Sequence, residues 1–356
     1  MRIVCAMSGG VDSSVAAALL VEAGHEVLGL TMRLYDAGAR EPTGRAGTCC
    51  SPAEIDQARN ACAILGIPHY TVDERGRFEG AVIDDFVRAY AAGRTPNPCV
   101  RCNEHVKFAP LLARARALDA AALATGHYAR STEGGLWRAV DAGKDQSYFL
   151  FAMGLPALAQ VLFPLGTWHK DQVRAKARAL GLPNADAPDS QELCFVGGGD
   201  HADVVEARAA ALGIDPAVLG PGRIVSESGA VLGEHAGVHR VTVGQRRGLR
   251  IAGSEPRYVL RVLPERRAVV VGDAEALRVT TLDLEDFRRL APLDERVTLR
   301  AEVQIRHRGQ AVPACVELAG AAARVRFDAP IAAAAPGQAA VVYDGDRVLG
   351  GGWIAG

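Results

Sequence analysis

Residues 3–14 read Ile3-Val4-Cys5-Ala6-Met7-Ser8-Gly9-Gly10-Val11-Asp12-Ser13-Ser14. The apolar run at the start predicts a buried strand, and the pattern from position 13 to the glycine at position 24 predicts a helix. The two glycines between them let backbone N–H groups converge on an anion at the helix N-terminus, where the helix dipole favours negative charge. The stretch therefore predicts a strand, a phosphate-binding loop and a helix, the opening of an α/β domain.

The loop does not end in the Lys-Ser/Thr pair of a Walker A motif. A glycine turn with a Ser or Asp helix cap is the simplest alternative interpretation. The full string after an N-terminal strand instead resembles the pyrophosphatase-type loop of enzymes that cleave ATP between its α- and β-phosphates and adenylate a carbonyl oxygen. The resemblance implies that ATP, with Mg²⁺, is bound by the loop and the neighbouring strand ends, at Ala6, Met7, Ser8, Gly9, Gly10, Val11, Asp12, Ser13, Met32 and Gly126.

Beyond this loop, short apolar runs alternate with helical patterns up to about residue 200. Such alternation predicts a parallel sheet with right-handed crossovers. From residue 221 onward, short strands separated by turns predict two small β units, the last of them a β-barrel. A chain of 356 residues exceeds the usual size of one core. We expect an ATP-binding domain at 1–205, a central β domain at 206–275 and a C-terminal barrel at 276–356.

Hydropathy and charge bear on the cellular location of the protein and on whether it binds nucleic acid. The first apolar run is too short for a signal peptide and no run of 18 apolar residues occurs, so we expect a cytoplasmic protein without membrane contact. The formal net charge is −1, which by itself does not indicate a nucleic-acid binder. The segment from residue 240 to residue 267, however, contains eight arginines and only two glutamates. This run predicts either phosphate contacts or a solvated sheet face.

Eight cysteines occur, and a reducing cytosol makes a structural disulfide framework unexpected. Cys5 and Cys62 lie in core-like contexts and are expected to be packing residues, as is Cys315. A proline-stiffened loop, Thr95-Pro96-Asn97-Pro98-Cys99-Val100-Arg101-Cys102-Asn103, presents two thiols. A second string, Asp189-Ser190-Gln191-Glu192-Leu193-Cys194-Phe195, presents a third. Rigid placement of thiols suits sulfur chemistry.

Together these strings resemble the bacterial tRNA-specific 2-thiouridylase family, and the resemblance covers essentially the whole chain. It rests on the loop at 8–14, the strings around Cys102 and Cys194, and four further motifs in the same order. These four are Ala124-Thr125-Gly126-His127-Tyr128, Lys144-Asp145-Gln146-Ser147-Tyr148-Phe149-Leu150, Gly244-Gln245-Arg246-Arg247-Gly248 and Pro336-Gly337-Gln338.

The resemblance implies a sulfurtransferase that replaces the C2 oxygen of the wobble uridine in tRNA with sulfur. ATP would adenylate O2, Cys194 would carry sulfur as a persulfide, and Cys102 would be its nucleophilic partner. The two thiols would end as a Cys102–Cys194 disulfide that cellular thiols reduce, which requires that they meet in space. The implied partners are tRNAs for Lys, Glu and Gln and a sulfur donor such as a cysteine desulfurase or a sulfur-relay protein.

The family resemblance also implies an RNA-contacting set. The flipped base would lie against Asn97, Pro98 and Cys99. Further tRNA contacts are implied at His127, Lys144, Asp145, Gln146, Arg306, His307 and Gln338. For His127 a packed or capped histidine is the alternative.

Cys99 departs from family members that carry an acidic residue at this position. An acid/base role therefore does not transfer to it, and an iron–sulfur cluster on Cys99, Cys102 and Cys194 stays open as a less favoured alternative. A zinc site completed by Cys49 and Cys50 is favoured still less, and no metal ligand is assigned.

Two functions from other classes remain as alternatives. A small-molecule ligase with the same ATP loop would explain residues 8–14 but not the thiols of Cys102 and Cys194. A non-catalytic zinc or iron–sulfur RNA-binding module would explain the thiols and the arginine run, but not the ATP loop.

Overall fold

Three sheets follow one another along the chain. The computed structural model describes residues 1–35, 52–132, 134–188, 193–196, 199–251, 255–332 and 334–356. The predicted α/β domain followed by two β units, the last a barrel, is confirmed. The strands of the first part of the chain are β1 (Arg2–Ala6), β2 (Glu26–Arg33), β3 (His69–Asp73), β4 (Ala122–Thr125), β5 (Arg130–Thr132), β6 (Gly135–Trp137) and β7 (Val161–Leu162).

Five of these strands form the first sheet, in the order β3-β2-β1-β4-β7, and every neighbouring pair is parallel. Ile3 lies beside Val27 on one side and Ala122 on the other. The order runs outward in both directions from β1, so the loop after β1 lies where the strand order reverses. Ligands of parallel α/β sheets bind at this point, outside the carboxyl ends of the strands.

Helices cover both faces of the first sheet. The α-helices of the described residues are α1 (Val11–Glu22), α2 (Pro52–Ile64), α3 (Arg75–Phe78), α4 (Asp84–Ala91), α5 (Pro98–Cys102), α6 (Ala109–Ala117), α7 (Leu155–Leu158), α8 (Lys170–Ala179), α9 (His201–Ala209) and α10 (Pro216–Leu219). None of the helices within the described ranges is both long and apolar enough to cross a bilayer.

Successive side chains of β1 point to opposite faces of the sheet, as in any β-strand. Ile3 and Cys5 pack in a cluster with residues of α1, α2 and α8, whereas Val4 packs in a cluster with residues of α5 and α6. Cys5 and Cys62 are fully buried in the first cluster, in agreement with packing roles. Burial raises the pKa of the Cys62 thiol to about 11.

Two π-helical segments continue short helices without a break. Glu79–Ile83 joins α3 to α4, and Asn103–Phe108 joins α5 to α6. The second segment begins directly after Cys102. Such segments rotate the side chains that follow relative to a regular α-helix and often occur at functional sites.

The second sheet is small and mixed. Its strands are β8 (Gly222–Ser226), β9 (Val231–His235), β10 (Tyr258–Leu263) and β11 (Ala268–Gly272). They are ordered β10-β11-β8-β9, and only the β11–β8 pair is parallel. The turn at 244–248 leaves Arg246 and Arg247 exposed.

The third sheet closes on itself. Its strands are β12 (Arg278–Arg289), β13 (Arg296–Gln304), β14 (Val312–Ala319), β15 (Ala322–Ala332), β16 (Ala339–Asp344) and β17 (Arg347–Ile354). Pairing of β12 with both β15 and β17 completes a six-stranded antiparallel barrel. The β5–β6 hairpin of the first part of the chain adds to β17, with Leu136 beside Val348. The sequence did not predict this sharing of a sheet between the two ends of the chain.

Candidate active site

The loop after β1 is held by its own hydroxyl groups. The Ser13 hydroxyl donates to the Gly10 carbonyl at 3.0 Å and accepts from the Ser8 backbone N–H at 3.1 Å. Gly9 has a φ of +82°, and a Cβ there would collide with the carbonyl oxygen of Glu54. Only glycine meets both demands, so the sequence signal at this position has a steric cause.

Asn184 supports the loop from the turn after α8. Its side-chain amide is almost fully buried and donates to the Gly9 carbonyl at 2.6 Å and to the Ser14 hydroxyl at 3.1 Å. Because the peptide unit is planar and trans, a fixed Gly9 carbonyl turns the Gly10 N–H to the opposite side. The amide thereby helps set the direction of a loop N–H group.

Asp12, in the first turn of α1, makes the strongest charged contact of the loop. The Lys170 ammonium lies 2.7 and 2.8 Å from its two carboxylate oxygens, and the Tyr128 hydroxyl donates to one of them at 2.9 Å. Lys170 is buried and is the first residue of α8. An acidic side chain, a cation and a phenol thus meet at the expected phosphate site.

The remaining predicted ATP residues lie at neighbouring strand ends. A Cβ on Gly126 would stand 2.6 Å from the backbone nitrogen of Ser13, so this glycine lets the end of β4 approach α1. The Met7 carbonyl accepts from the Thr31 hydroxyl at 2.8 Å. Ala6, Met7 and Met32 close the carboxyl ends of β1 and β2. The fold therefore brings all ten predicted ATP positions to one edge of the sheet.

The loop that begins at Thr95, here called the thiol loop, runs into α5. Residues of the loop itself stabilise the first turn of this helix. The Asn97 side chain caps the helix by accepting from the Val100 N–H at 3.4 Å, and Pro98 occupies the first turn. This arrangement suits proline, which has no N–H to satisfy. Cys99 is exposed on α5, whereas Cys102, one turn later, is buried.

Cys102 and Cys194 pack in the same hydrophobic cluster, although residues 189–192 lie outside the described ranges. Phe195 makes edge-on contacts with Phe78 and Phe86, at ring-centroid distances of 6.0 and 5.0 Å. These two rings flank the π segment Glu79–Ile83, against which α5 also packs. The two cysteines thus lie on segments that share the α3–α4 helix as a support.

The C-terminal barrel holds the thiol loop from the other side. The Gln338 amide donates to the Thr95 and Pro96 carbonyls, each at 3.1 Å, and the Thr95 N–H donates to the Pro336 carbonyl at 2.7 Å. Gln338, expected to contact tRNA, therefore donates its amide protons to the loop that carries Cys99 and Cys102.

Aromatic and charged contacts extend this junction. The Arg101 guanidinium lies 4.1 Å from the ring centroid of Trp353 and donates to Glu104 at 3.1 Å. Glu104 also accepts from Arg288 of β12 at 3.1 Å. Arg101 in α5 and Glu104 just after it thus contact Trp353 and Arg288 of the barrel.

His127 lies between the rings of Phe108 and Phe163 and hydrogen-bonds the Thr125 hydroxyl at 2.9 Å. Burial, and next the charge of Lys107, lower its pKa to about 3. It is therefore neutral at physiological pH and resembles the packed histidine of the alternative interpretation.

The motif at 144–150 is organised by Asp145. Its carboxylate accepts from the Ala139 and Ser147 N–H groups, from the Ser147 hydroxyl and from Arg138. Gln146 accepts from the Tyr128 N–H at 2.9 Å, whereas Lys144 is partly exposed. Two of these three predicted RNA residues therefore also shape the backbone.

Arg306 and His307 are exposed on a barrel loop next to this motif. The His307 ring lies 4.3 Å from that of Phe149, whose carbonyl accepts from Asn103 at 3.0 Å. Phe149 thus connects Asn103, which directly follows α5, with the barrel loop.

Among the described residues, no three His, Cys, Asp or Glu side chains converge as in a metal cage. Cys49 and Cys50 lie outside those residues. In the arginine run, Arg240 is bound by Glu206 at 2.6 Å and Arg257 by Glu255 at 3.3 Å.

Lys170 and Asn184 are site residues that the sequence did not reveal. Lys170 carried one signal, since the chain contains only four lysines among 40 basic residues. Asn184 carried none, because nothing in its neighbourhood distinguishes it from a surface turn residue.

Three family profiles match consecutive parts of the chain. Residues 1–198 match the "tRNA methyl transferase HUP domain", residues 217–273 the "tRNA methyl transferase PRC-barrel domain" and residues 279–354 the "Aminomethyltransferase beta-barrel domain".

Similar proteins carry a different activity in their names. "tRNA-specific 2-thiouridylase MnmA" of Geobacter metallireducens is 50% identical over 361 residues, covering 99% of this chain and 96% of the relative. Proteins of the same name from Chloroflexus aggregans and Acidothermus cellulolyticus are 47% and 48% identical, and each is covered to 98%. We follow these names rather than the methyl-transfer descriptions, because the relatives are similar over the whole chain and each is covered almost completely. The chain therefore belongs to the tRNA-specific 2-thiouridylase family.

Proposed function

We propose that this chain thiolates C2 of the wobble uridine in tRNA by adenylating O2 with ATP and delivering sulfur from a cysteine persulfide. The observation that carries the proposal is the pairing of an ATP loop with two cysteines in one cluster, within a whole-chain member of the thiouridylase family. tRNA is the substrate class of that family.

ATP would occupy the edge formed by the ends of β1, β2 and β4. The loop N–H groups and the dipole of α1 face the phosphates. Asp12 would hold Mg²⁺ together with phosphate oxygens, since Mg²⁺ favours one or two carboxylates plus substrate phosphates. Bound there, Mg²⁺ would neutralise phosphate charge. Attack of O2 on the α-phosphorus then breaks the bond to the bridging oxygen, and pyrophosphate leaves with the electron pair.

Sulfur transfer would use both thiols. The terminal sulfur of a Cys194 persulfide bonds to C2, and the Cys102 thiolate attacks the inner sulfur of Cys194. The S–S bond breaks, its electron pair forms the C=S group, and AMP leaves. The enzyme is left with a Cys102–Cys194 disulfide that two electrons from a cellular thiol reduce.

Asn97, Pro98 and Cys99 would receive the flipped base, because they line the start of α5 beside Cys102. The surface formed by the 144–150 motif, Arg306 and His307 would contact the tRNA backbone, with His127 and Gln338 as packed members of its support. We further propose tRNAs for Lys, Glu and Gln as substrates, a cysteine desulfurase or relay protein as sulfur donor, and a cytoplasmic location.

Three sheets support the proposed domains 1–205, 206–275 and 276–356. The proposed boundary at residue 205 falls within α9 (His201–Ala209).

The experiment compares Cys194→Ser, Cys102→Ser and Cys99→Ser under anaerobic conditions, with labelled sulfur, ATP and tRNA. Cys194→Ser should lose both protein-bound label and thiolation. Cys102→Ser should keep the label on Cys194 but thiolate at background level and never form the disulfide. Cys99→Ser should retain most activity, because the persulfide route uses only two thiols.

Cys315→Ser is the matched control, since this cysteine lies in strand β14 of the barrel. Loss of activity in Cys99→Ser as complete as in Cys194→Ser, together with loss of visible absorption, would replace the persulfide route by a three-cysteine cluster. Full thiolation in the Cys102→Ser, Cys194→Ser double variant would show that sulfur reaches C2 without these two thiols. Cleavage of ATP to AMP that needs no tRNA and persists in the double variant would instead favour a small-molecule ligase.

A further inference from the structure

Cys99 is a thiol to which the sulfur transfer above assigns no step. Of the six cysteines that lie within the described ranges, Cys99 alone is exposed. Cysteine is among the residue types most often buried in folded proteins, so an exposed one is not explained by packing. Contact with a flipped base needs shape and hydrogen bonds rather than a thiol. The reactivity of Cys99 towards its neighbours is therefore of interest.

Cys99 and Cys102 lie one turn apart on the same helical segment. The Asn103 N–H donates to the Cys99 carbonyl, so the backbone between the two cysteines is regular α-helix. From the rise and radius of such a helix, Cα atoms three residues apart are about 5 Å from each other. Disulfide-bonded cysteines have Cα atoms roughly 4.4–6.8 Å apart. The two backbones are thus already spaced for a disulfide.

The first turn of α5 can supply the remaining movement. Cβ atoms three residues apart in a helix are roughly 5–6 Å from each other, whereas a disulfide needs about 3.8 Å. Pro98 has no N–H to lose, and the leading N–H groups of a helix have no helical partner. The Asn97 cap on the Val100 N–H is long, at 3.4 Å. Movement of Cys99 towards Cys102 therefore breaks few hydrogen bonds.

Burial places the three sulfur atoms at different depths. Cys102 is 7% exposed and packs in one cluster with the partly buried Cys194. A protein reductant is too bulky to bring its own thiol against the sulfur of Cys102. Exchange between thiols and disulfides depends on which sulfur can be reached. Cys99 is the exposed thiol next to Cys102, so it can connect the buried pair with solvent.

We propose that Cys99 recycles the enzyme by resolving the Cys102–Cys194 disulfide that sulfur transfer leaves behind. The Cys99 thiol gives its proton to solvent, and the thiolate attacks Sγ of Cys102. The bond to Cys194 breaks, and Cys194 leaves with the electron pair as a thiolate that can accept the next sulfur. A protein dithiol of the thioredoxin class then reduces the exposed Cys99–Cys102 disulfide with two electrons and is itself oxidised to a disulfide.

The inference rests on the proposed function and adds a step after sulfur transfer without replacing any step of it. Because the flipped base would lie against Cys99, recycling follows the departure of the thiolated tRNA. A small thiol in excess can enter the site and reduce the Cys102–Cys194 disulfide directly. This bypass agrees with the activity expected to remain in Cys99→Ser.

The first measurement isolates the proposed pair in Cys194→Ser, without tRNA. The protein is equilibrated in mixtures of oxidised and reduced glutathione, alkylated and mapped by mass spectrometry. We expect a Cys99–Cys102 disulfide in the oxidising mixtures. A pair that stays reduced in all of them would overturn the proposal, whether or not the enzyme thiolates tRNA.

The second measurement follows one turnover. Protein carrying a persulfide receives ATP and tRNA anaerobically without reductant, and is then quenched with acid, alkylated and mapped. The unmodified protein should carry mainly the Cys99–Cys102 disulfide, with Cys194 alkylated, whereas Cys99→Ser should carry Cys102–Cys194. Only Cys102–Cys194 in the unmodified protein would overturn the proposal. Absence of both thiolated tRNA and any disulfide would count against the proposed function instead.

The third measurement compares the reduction rates of these oxidised proteins after tRNA is removed. Reduced thioredoxin should act at least about tenfold faster on the unmodified protein than on Cys99→Ser, because it reaches Cys99 but not Cys102. Dithiothreitol, which is small, should show a smaller difference. Cys315→Ser removes a thiol from β14 of the barrel and, as the matched control, should behave like the unmodified protein. Equal rates with thioredoxin for Cys99→Ser and the unmodified protein would overturn the proposal.

Discussion

Buried ionisable side chains surround the site, and burial sets their protonation. His127 illustrates this, since its imidazole packs near the rings of Phe108 and Phe163, at centroid distances of 5.9 and 6.4 Å. The charged form loses hydration there without gaining an anionic partner. Its pKa falls from near 6.5 to about 3, and the folded protein therefore favours the neutral imidazole.

The first prediction concerns acid stability. Below pH 6.5 the unfolded chain protonates His127 while the folded chain does not, so stability is lost as pH falls from about 6.5 to 3. One such group contributes at most about 1.4 kcal/mol per pH unit. His127→Asn should flatten the pH dependence of the free energy of unfolding in this window, as measured by urea titrations at several pH values.

His25→Asn is the control, because His25 lies just after α1 and away from the site. It should leave the slope unchanged. The same slope in wild type and His127→Asn would mean that His127 is hydrated or already charged in the folded protein.

At the level of elements, α5 is the first turn of a helix that continues through a π segment into α6, and the residues of a first turn lack part of their intrahelical hydrogen bonds. Its position therefore depends on what it touches: the α3–α4 helix on one side and the barrel on the other. Gln338 is the contact nearest to the start of the thiol loop.

The second prediction is that Gln338→Glu loosens the thiol loop. The substitution removes two hydrogen bonds, worth about 1 kcal/mol each, and points a carboxylate at two carbonyl oxygens. Amide hydrogen exchange in residues 94–102 should accelerate and the thiolation rate should fall about tenfold, while ATP binding is kept.

Gln160→Glu makes the same chemical change beside Arg116, just before β7 and at the edge of the sheet opposite the site, and should alter neither property. Unchanged exchange in residues 94–102 of Gln338→Glu would show that the loop is held by its prolines and by α5 alone. A slower reaction with unchanged exchange would favour a direct role of Gln338 at the tRNA.

On the scale of the whole molecule, the central sheet presents Arg246 and Arg247 on an exposed turn, whereas Arg240 and Arg257 of the same run are bound by carboxylates. The net positive charge of the run thus resides on particular side chains rather than on a uniform face. Arg250, Arg261, Arg266 and Arg267 of the run are exposed as well, and Arg246 and Arg247 are the pair inside the glycine-bounded turn at 244–248.

The third prediction is that Arg246→Ala combined with Arg247→Ala weakens tRNA binding and lowers the slope of log affinity against log salt by about two units, one for each lost phosphate contact. ATP binding without tRNA should not change. Filter binding or fluorescence titration over a range of salt concentrations measures the slope.

Arg296→Ala with Arg326→Ala removes the same charge from exposed positions on barrel strands and should leave the slope nearly unchanged. Equal effects of the two double variants would assign Arg246 and Arg247 to a solvated face and their influence to net charge alone.

Much of this molecule follows from local sequence. The strand, glycine loop and helix at 3–24 arise from apolar runs and from a φ that only Gly9 adopts without strain, and these are properties of adjacent residues. The change from helices to short strands near residue 221 is likewise visible in the hydropathy pattern. Thiols flanked by prolines in fixed strings also predict sulfur chemistry without reference to the fold.

Tertiary structure alone decided which distant residues complete the site. Lys170 reaches Asp12 because α8 packs against α1, and Gln338 reaches Thr95 because the barrel packs against the first part of the chain. Residues 158 or 243 positions apart leave no periodicity in the sequence that could relate them. Their contacts are set by packing and hydrogen bonds that exist once the sheets have formed, so a sequence can name the thiols and the loop but not what holds them in place.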